Sequence, residues 1–167
     1  MTAVDIIILT GVSGVGKSTL AARLAADLKA PFIEADDHHL PASIAKMAQG
    51  IPLGDADRWP WLEAVAVAAN AAAAEGGAVI ACSALKRIYR DHIAKGCLTP
   101  PIFIHLHAPR HVIDGRLAAR ANHFFDESLL DSQMDSLEMP SHDEIYRLID
   151  AKADIDSVYE AICKALS

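Results

Sequence analysis

Aromatic residues are scarce, at 5% of the chain. A core that cannot lean on large rings has to come from the Ala, Leu, Ile and Val that lift the hydrophobic share to 52%, which points to helices packed on a sheet. Cysteine is sparse as well. Cys82, Cys97 and Cys163 are odd in number and show no C-x-x-C spacing, so they argue against a disulfide frame or a zinc site and for reduced thiols. Basic charge is in deficit, with 15 Lys and Arg against 22 Asp and Glu and a net charge of −7. A general nucleic-acid binder needs a basic stripe, so that partner is excluded; a small anion met by a local cluster of cations is not. No apolar run approaches a membrane span, and Met1-Thr2-Ala3-Val4-Asp5 lacks a basic leader. The expectation is a cytoplasmic protein with no membrane partner. Neither an internal repeat nor a low-complexity linker divides the 167 residues, which read as one domain, 1–167.

What is present is concentrated near the N-terminus. Gly11-Val12-Ser13-Gly14-Val15-Gly16-Lys17-Ser18 fits the phosphate-binding loop pattern G-x-x-x-x-G-K-[ST]. The β-branched run Asp5 to Thr10 before it reads as a buried strand, and Thr19 to Leu28 after it reads as a helix. Glycines let such a loop turn tightly with its N–H groups free to meet a phosphate, and the helix start adds its own unpaired N–H groups. The expected nucleotide-binding set is Gly11, Ser13, Gly14, Val15, Gly16, Lys17, Ser18 and Thr19. Lys17 would reach the β- and γ-phosphates of ATP, and the Ser18 hydroxyl would hold Mg²⁺.

Strand and helix patterns alternate through the rest of the chain, which predicts a three-layer α/β fold with a five-stranded parallel sheet and helices on both faces. Ligands then sit at the carboxyl ends of the strands. The second strand, Pro31 to Ala35, delivers Asp36-Asp37-His38-His39; the third, Ala78 to Cys82, delivers Ser83 to Arg87; the fourth, Ile102 to Leu106, delivers His107. Asp36 is the candidate to accept a proton or hydrogen bond from an attacking hydroxyl. Leu40 to Gln49 predicts a short helix with Ile44, Met47 and Ala48 on one face, and Pro60 is expected in the first turn of the long helix that opens at Asp55 to Arg58. Arg58 is unusual there, since a cation at a helix start opposes the dipole; it either pairs with Asp55 or meets an anionic substrate. Lys86 and Arg90, four apart, share a helix face, either as an exposed basic surface or around an anion. Arg116 and Arg120 repeat that spacing just before Asn122-His123-Phe124-Phe125, which predicts a mobile lid at about 122–126 whose arginines neutralise charge during phosphoryl transfer.

Switch motifs of GTPases, Asp-x-x-Gly and Asn-Lys-x-Asp, do not occur. Cys82-Ser83 closes the third strand where a motor or transporter ATPase usually has an acid. With these residues assembled, the chain resembles the gluconokinase family, relatives of shikimate and nucleoside monophosphate kinases. The resemblance runs from Gly11-to-Ser18 to about Pro140. It includes Lys46-Met47 with Gly50, Pro52-Leu53, Asp55-x-Asp57-Arg58 with Pro60-Trp61-Leu62, and Ala81 to Lys86. It continues through Tyr89-Arg90-Asp91, Arg116-x-x-x-Arg120, His123-Phe124, Ser132-Gln133 and Leu137-Glu138 with Pro140. It implies phosphorylation of D-gluconate by ATP with Mg²⁺, catalysis by Lys17, Asp36, Arg116 and Arg120, and an acceptor side formed by helices at about 40–75. Asp36, His39, Arg58, Lys86 and Arg90 would contact the acceptor, and the family implies a homodimer. The chain departs from the family pattern where Leu40 follows His39, Pro41 comes one place late and Ser43 replaces an expected Asn. Another small hydroxy acid or sugar as acceptor, or a nucleotide-binding regulatory protein without an acceptor, stays open at this point.

Overall fold

Ile6–Thr10 forms β1, buried along its whole length. A central strand of a parallel sheet is covered on both faces and must be apolar at every position, which is what Ile6-Ile7-Ile8-Leu9 supplies. The computed structural model describes residues 6–120 and 127–167. Within them β3 (Ala78–Ala81) and β4 (Ile102–His107) flank β1, while β2 (Phe32–Glu34) and β5 (Tyr146–Asp150) take the edges. The order is β2-β3-β1-β4-β5, with every pairing parallel.

Side chains along β1 alternate between two cores, as the period of a strand requires. Ile7 and Leu9 join Leu20 and Leu24 of α1 (Lys17–Leu28), Ile113 of α5 (Arg110–Ala118), and Val158 and Ile162 of α7 (Ile155–Leu166). Ile6 and Ile8 turn the other way, to Trp61, Leu62 and Val65 of α3 (Asp55–Ala73) and Tyr89 and Ile93 of α4 (Arg87–Gly96). Leu130 ties α6 (Glu127–Ser136) to the first core. The predicted α/β sandwich is therefore the observed one. Among the described residues no helix is long and apolar enough to cross a membrane.

Two local expectations shift. Pro60 lies in the second turn of α3, because the helix opens at Asp55; its ring removes one intrahelical donor there. The stretch after β2 forms α2 (Pro41–Ala48), but Ile44 and Met47 stand 51% and 44% exposed while Ser43 is buried. The apolar face that periodicity marks on this helix is directed to solvent.

The order of the strands fixes where the site lies. From β1 the chain moves out beyond β3 to β2, returns through β3, then crosses to β4 on the other side. The crevice opened by that reversal stands at the carboxyl end of β1, where the glycine-rich loop begins.

Candidate active site

The loop from β1 to α1 holds Gly11, Gly14 and Gly16 at φ of 141°, 82° and 105°. At Gly11 an added Cβ would stand 2.7 Å from the Leu106 carbonyl oxygen, so the loop runs against the β4 backbone and only glycine fits. Gly16 is the N-cap of α1 and brings no side chain to its first-turn N–H groups, which leaves them available to an anion. Lys17 is half-buried and folds back to donate to the Val12 carbonyl at 3.0 Å. Burial pulls its pKa below the usual lysine range, opposed by the charges of Asp36, Cys82 and Glu34 and aided by Arg120. Ser18 Oγ donates to Glu34 Oε2 at 2.5 Å, while Thr19 is exposed on the first turn of α1. The Gln133 side chain grips Ser13 twice: its Oε1 accepts from the Ser13 N–H at 2.7 Å, and its Nε2 donates to Ser13 Oγ at 3.0 Å.

Asp36 lies in a 3-10 turn, Ala35–His38, that continues β2. Its side chain is 75% exposed, with Oδ1 3.8 Å from Nε2 of His39. His39 stacks on Trp61 with ring centroids 4.3 Å apart, and Trp61 donates from Nε1 to the Ala35 carbonyl at 2.6 Å. Burial holds the His39 pKa below its ordinary value; Asp36 opposes this and Arg58 adds to it. Arg58 lies over the Tyr89 ring, its guanidinium carbon 5.3 Å from the centroid. It donates weakly to the Leu53 carbonyl at 3.4 Å, and its buried Nε has no protein partner among the described residues. Beyond Arg58 come Asp55, Tyr89 and Lys86. Hydrogen bonds from Tyr89 and Lys86 hold the Asp55 carboxyl below its ordinary value, and the Asp55 contact raises the Lys86 pKa. Asp36 thus faces His39 after β2, while Arg58 and Lys86 share the Tyr89 ring on α3 and α4.

Arg90 and Arg116 are held differently. Arg90 is 1% exposed and forms a two-pronged pair with Glu144, at 2.6 Å from Nε and 3.1 Å from Nη2. Its Nη1 donates to the carbonyls of Ala84, Leu85 and Glu138. The sequence put Lys86 and Arg90 on one helix face, yet here they part, because Lys86 is the N-cap of α4 and Arg90 turns into the protein. Arg116 donates to the carbonyls of Val15, Ala151, Lys152 and Ala153, so it spans the back of the phosphate loop and the turn after β5. Arg120 is exposed. The expected lid at 122–126 lies outside the described residues.

Sequence reasoning passed over Glu34, Gln133 and the Asp55–Tyr89 contact as site features. Glu34 had a readable signal, since the last residue of β2 on the rim, two before Asp36, is a second carboxylate. Gln133 meets Ser13 across 120 residues, a pairing no local pattern carries.

The chain matches the family model described as an AAA domain over residues 6–140. It is 43% identical to a thermosensitive gluconokinase of Escherichia coli strain K12, over 95% of this chain and 86% of that protein. Among solved structures, a sugar kinase from Janibacter sp. HTCC2649 superposes with a TM-score of 0.89 at 41% identity, covering 97% of this chain and 94% of that one. A gluconokinase from Sinorhizobium meliloti 1021 gives a TM-score of 0.84 at 34% identity, covering 99% and 97%. With the phosphate loop, the parallel sheet and these relatives agreeing along nearly its whole length, the chain belongs to the gluconokinase family.

Proposed function

We propose that the chain transfers the γ-phosphoryl group of ATP to D-gluconate, giving 6-phospho-D-gluconate and ADP with Mg²⁺ present. Family membership supports the reaction class. The observation that carries the acceptor is the set of polar side chains along one rim: Lys17 and Asp36 follow β1 and β2 at one end, and Arg58 and Lys86 share the Tyr89 ring, with Lys86 3.3 Å from Asp55, at the other. A polyol acid laid along that rim would bring its carboxylate to the cations and its far hydroxyl to Asp36.

Phosphoryl transfer passes through a loose transition state, so holding the partners in line and neutralising charge count for more than a strong base. Lys17 and the first-turn N–H groups of α1 would hold the phosphates, and Arg120 would add positive charge beside Lys17. Asp36 would orient the acceptor hydroxyl and take its proton. Arg116, by clasping the Val15 and Ala151 carbonyls, would fix the phosphate loop against the turn after β5. Arg90 would set the Ala84–Leu85 turn from which Lys86 projects, a positioning role in place of direct acceptor contact. Ser18 and Glu34, in contact at 2.5 Å, are oxygen donors of the kind Mg²⁺ accepts. Bound there, Mg²⁺ would neutralise and orient the phosphoryl oxygens.

The deciding experiment is ADP release over a panel of gluconate, shikimate and other aldonates. Turnover with gluconate well above the rest is expected. A better rate on another hydroxy acid would transfer the assignment to that acceptor, and acceptor-independent ADP formation or nucleotide binding without turnover would remove the kinase reading.

A further inference from the structure

Tyr89 lies in the first turn of α4 and is 4% exposed. Its ring belongs to the core formed with Trp61, Leu62 and Ile93, and it meets Trp59 edge-on with centroids 5.8 Å apart at 71°. A ring so packed has few rotamers left, so whatever its hydroxyl and faces touch is held in place. What they touch is charged. The hydroxyl donates to Asp55 Oδ1 at 2.5 Å. Lys86 Nζ reaches that same oxygen at the longer distance of 3.3 Å. The Arg58 guanidinium carbon and Lys86 Nζ lie 5.3 and 5.6 Å from the ring centroid, both within cation–π range.

We propose that Tyr89 is a positioning residue for acceptor recognition: it shares Asp55 with Lys86 and seats Arg58, so that two cations and one carboxylate offer a single net positive charge to the substrate's carboxylate. The proposal rests on the acceptor reading above. Asp55 alone would draw Lys86 into a tight pair and cancel it. With the Tyr89 hydroxyl on the shared oxygen, Asp55 is satisfied at short range and Lys86 is held at arm's length, with N–H groups left for another acceptor. Arg58 is held over the ring by its charge while its buried Nε finds no protein acceptor among the described residues. Arg58 and Lys86 both keep N–H donors that one carboxylate can take. The arrangement discriminates by charge: an acid is bound, and a neutral polyol of the same length leaves the extra positive charge unmatched.

Tyr89→Phe keeps the ring and removes the hydroxyl. In the variant protein the KM for gluconate should rise about tenfold, the size of one hydrogen bond to a charged group, while kcat and the KM for ATP stay within about twofold, because Tyr89 acts on the acceptor through Lys86 and Arg58 and not on the reacting centre. Asp55→Asn should instead lower the KM for gluconate, because the carboxylate that competes for Lys86 loses its charge. Added to Asp55→Asn, Tyr89→Phe should raise that KM far less than it does alone, because both residues work through one contact. A merely structural role would lower kcat and raise both KM values together. Should Tyr89→Phe melt far below the wild type, Asp55→Asn alone decides, its side chain being partly exposed. If wild-type protein turns over gluconate and neither substitution moves its KM, the positioning role is wrong and the acceptor reading survives. If wild-type protein does not use gluconate at all, it is the acceptor reading that falls.

Discussion

Asp36 is nearly free of the protein: its side chain is 75% exposed, and it is felt by Lys17 on one side and His39 on the other. Such a carboxylate has little structural work, so replacing it tests chemistry with little risk to folding. Asp36→Asn should lower kcat by about a hundredfold or more with the KM for ATP changed only a few-fold; equal damage to both would make Asp36 a metal-side group instead. His105 is the opposite case, 1% exposed, accepting or donating through Nδ1 to Thr10 Oγ1 at 3.0 Å, with Nε2 unpartnered among the described residues. Burial drives its pKa down to about 4, with Arg90 and His107 adding and Glu144 opposing. The unfolded chain keeps a value of about 6.5. Between those two values the unfolded state binds a proton that the folded state refuses, so stability is complete above about pH 6.5 and falls as the pH drops toward 4. Urea unfolding of wild type and His105→Gln from pH 7 to pH 4 checks this. The wild-type curve should fall more steeply by up to one proton, and parallel curves would refute it.

The elements are joined at their ends by pairs distant in sequence, and Arg90 is the main one. It fastens α4 to the Ala84–Leu85 turn and to the segment 138–144 that leads into β5. Ala84 in that turn has a φ of 34°, a left-handed conformation that a residue with a side chain adopts only when its surroundings impose it. Burial alone would push the Glu144 carboxyl up, but the Arg90 and Ser141 hydrogen bonds outweigh it and leave the pKa lowered. Removing one partner of such a buried pair leaves the other charge unmatched, at a cost of about 3–5 kcal/mol. Arg90→Met should lose that much in urea unfolding; a loss under about 1 kcal/mol, as for a surface pair, would show that the strap does not hold α4. This residue also marks how far the sequence could be read. The strands, the glycine-rich loop and the rim position of Asp36 were legible because each is written in consecutive residues, as a β-branched run, a spaced motif or a strand end. Arg90 was legible as a cation on a helix face, but its partner Glu144 is 54 residues away, and helical spacing says nothing about which cation turns inward. The same limit hid Gln133 behind Ser13. On α2 the periodic face of Ile44 and Met47 was visible in the sequence, whereas its exposure depends on no other element packing there among the described residues.

At the scale of the molecule, two cores back the sheet, and the proposed subsites stand on different elements of its carboxyl rim. The nucleotide side is built on β1, its loop and α1; the acceptor side is built on the 3-10 turn, α3 and α4. A ligand that binds only the folded state stabilises it by RT ln(1 + [L]/Kd), about 2.7 kcal/mol at a hundred times Kd, and for a chain of this size each kcal/mol is worth about 2–4 °C in Tm. ATP with Mg²⁺ at that level should therefore raise Tm by about 5–11 °C. Lys17→Ala should keep the ligand-free Tm close to wild type, since Lys17 is half-buried and gives up one hydrogen bond to the Val12 carbonyl, yet lose most of the nucleotide shift. The same variant should retain whatever shift gluconate alone produces, because among the described residues the hydrogen bonds and ring contacts of Arg58, Lys86, Asp55 and Tyr89 do not involve the phosphate loop. Thermal melts of the two proteins with each ligand separately give the four numbers needed. Loss of both shifts in Lys17→Ala would mean that acceptor and nucleotide are held by one shared group of residues, and the division of the rim into two independently built halves would have to be abandoned.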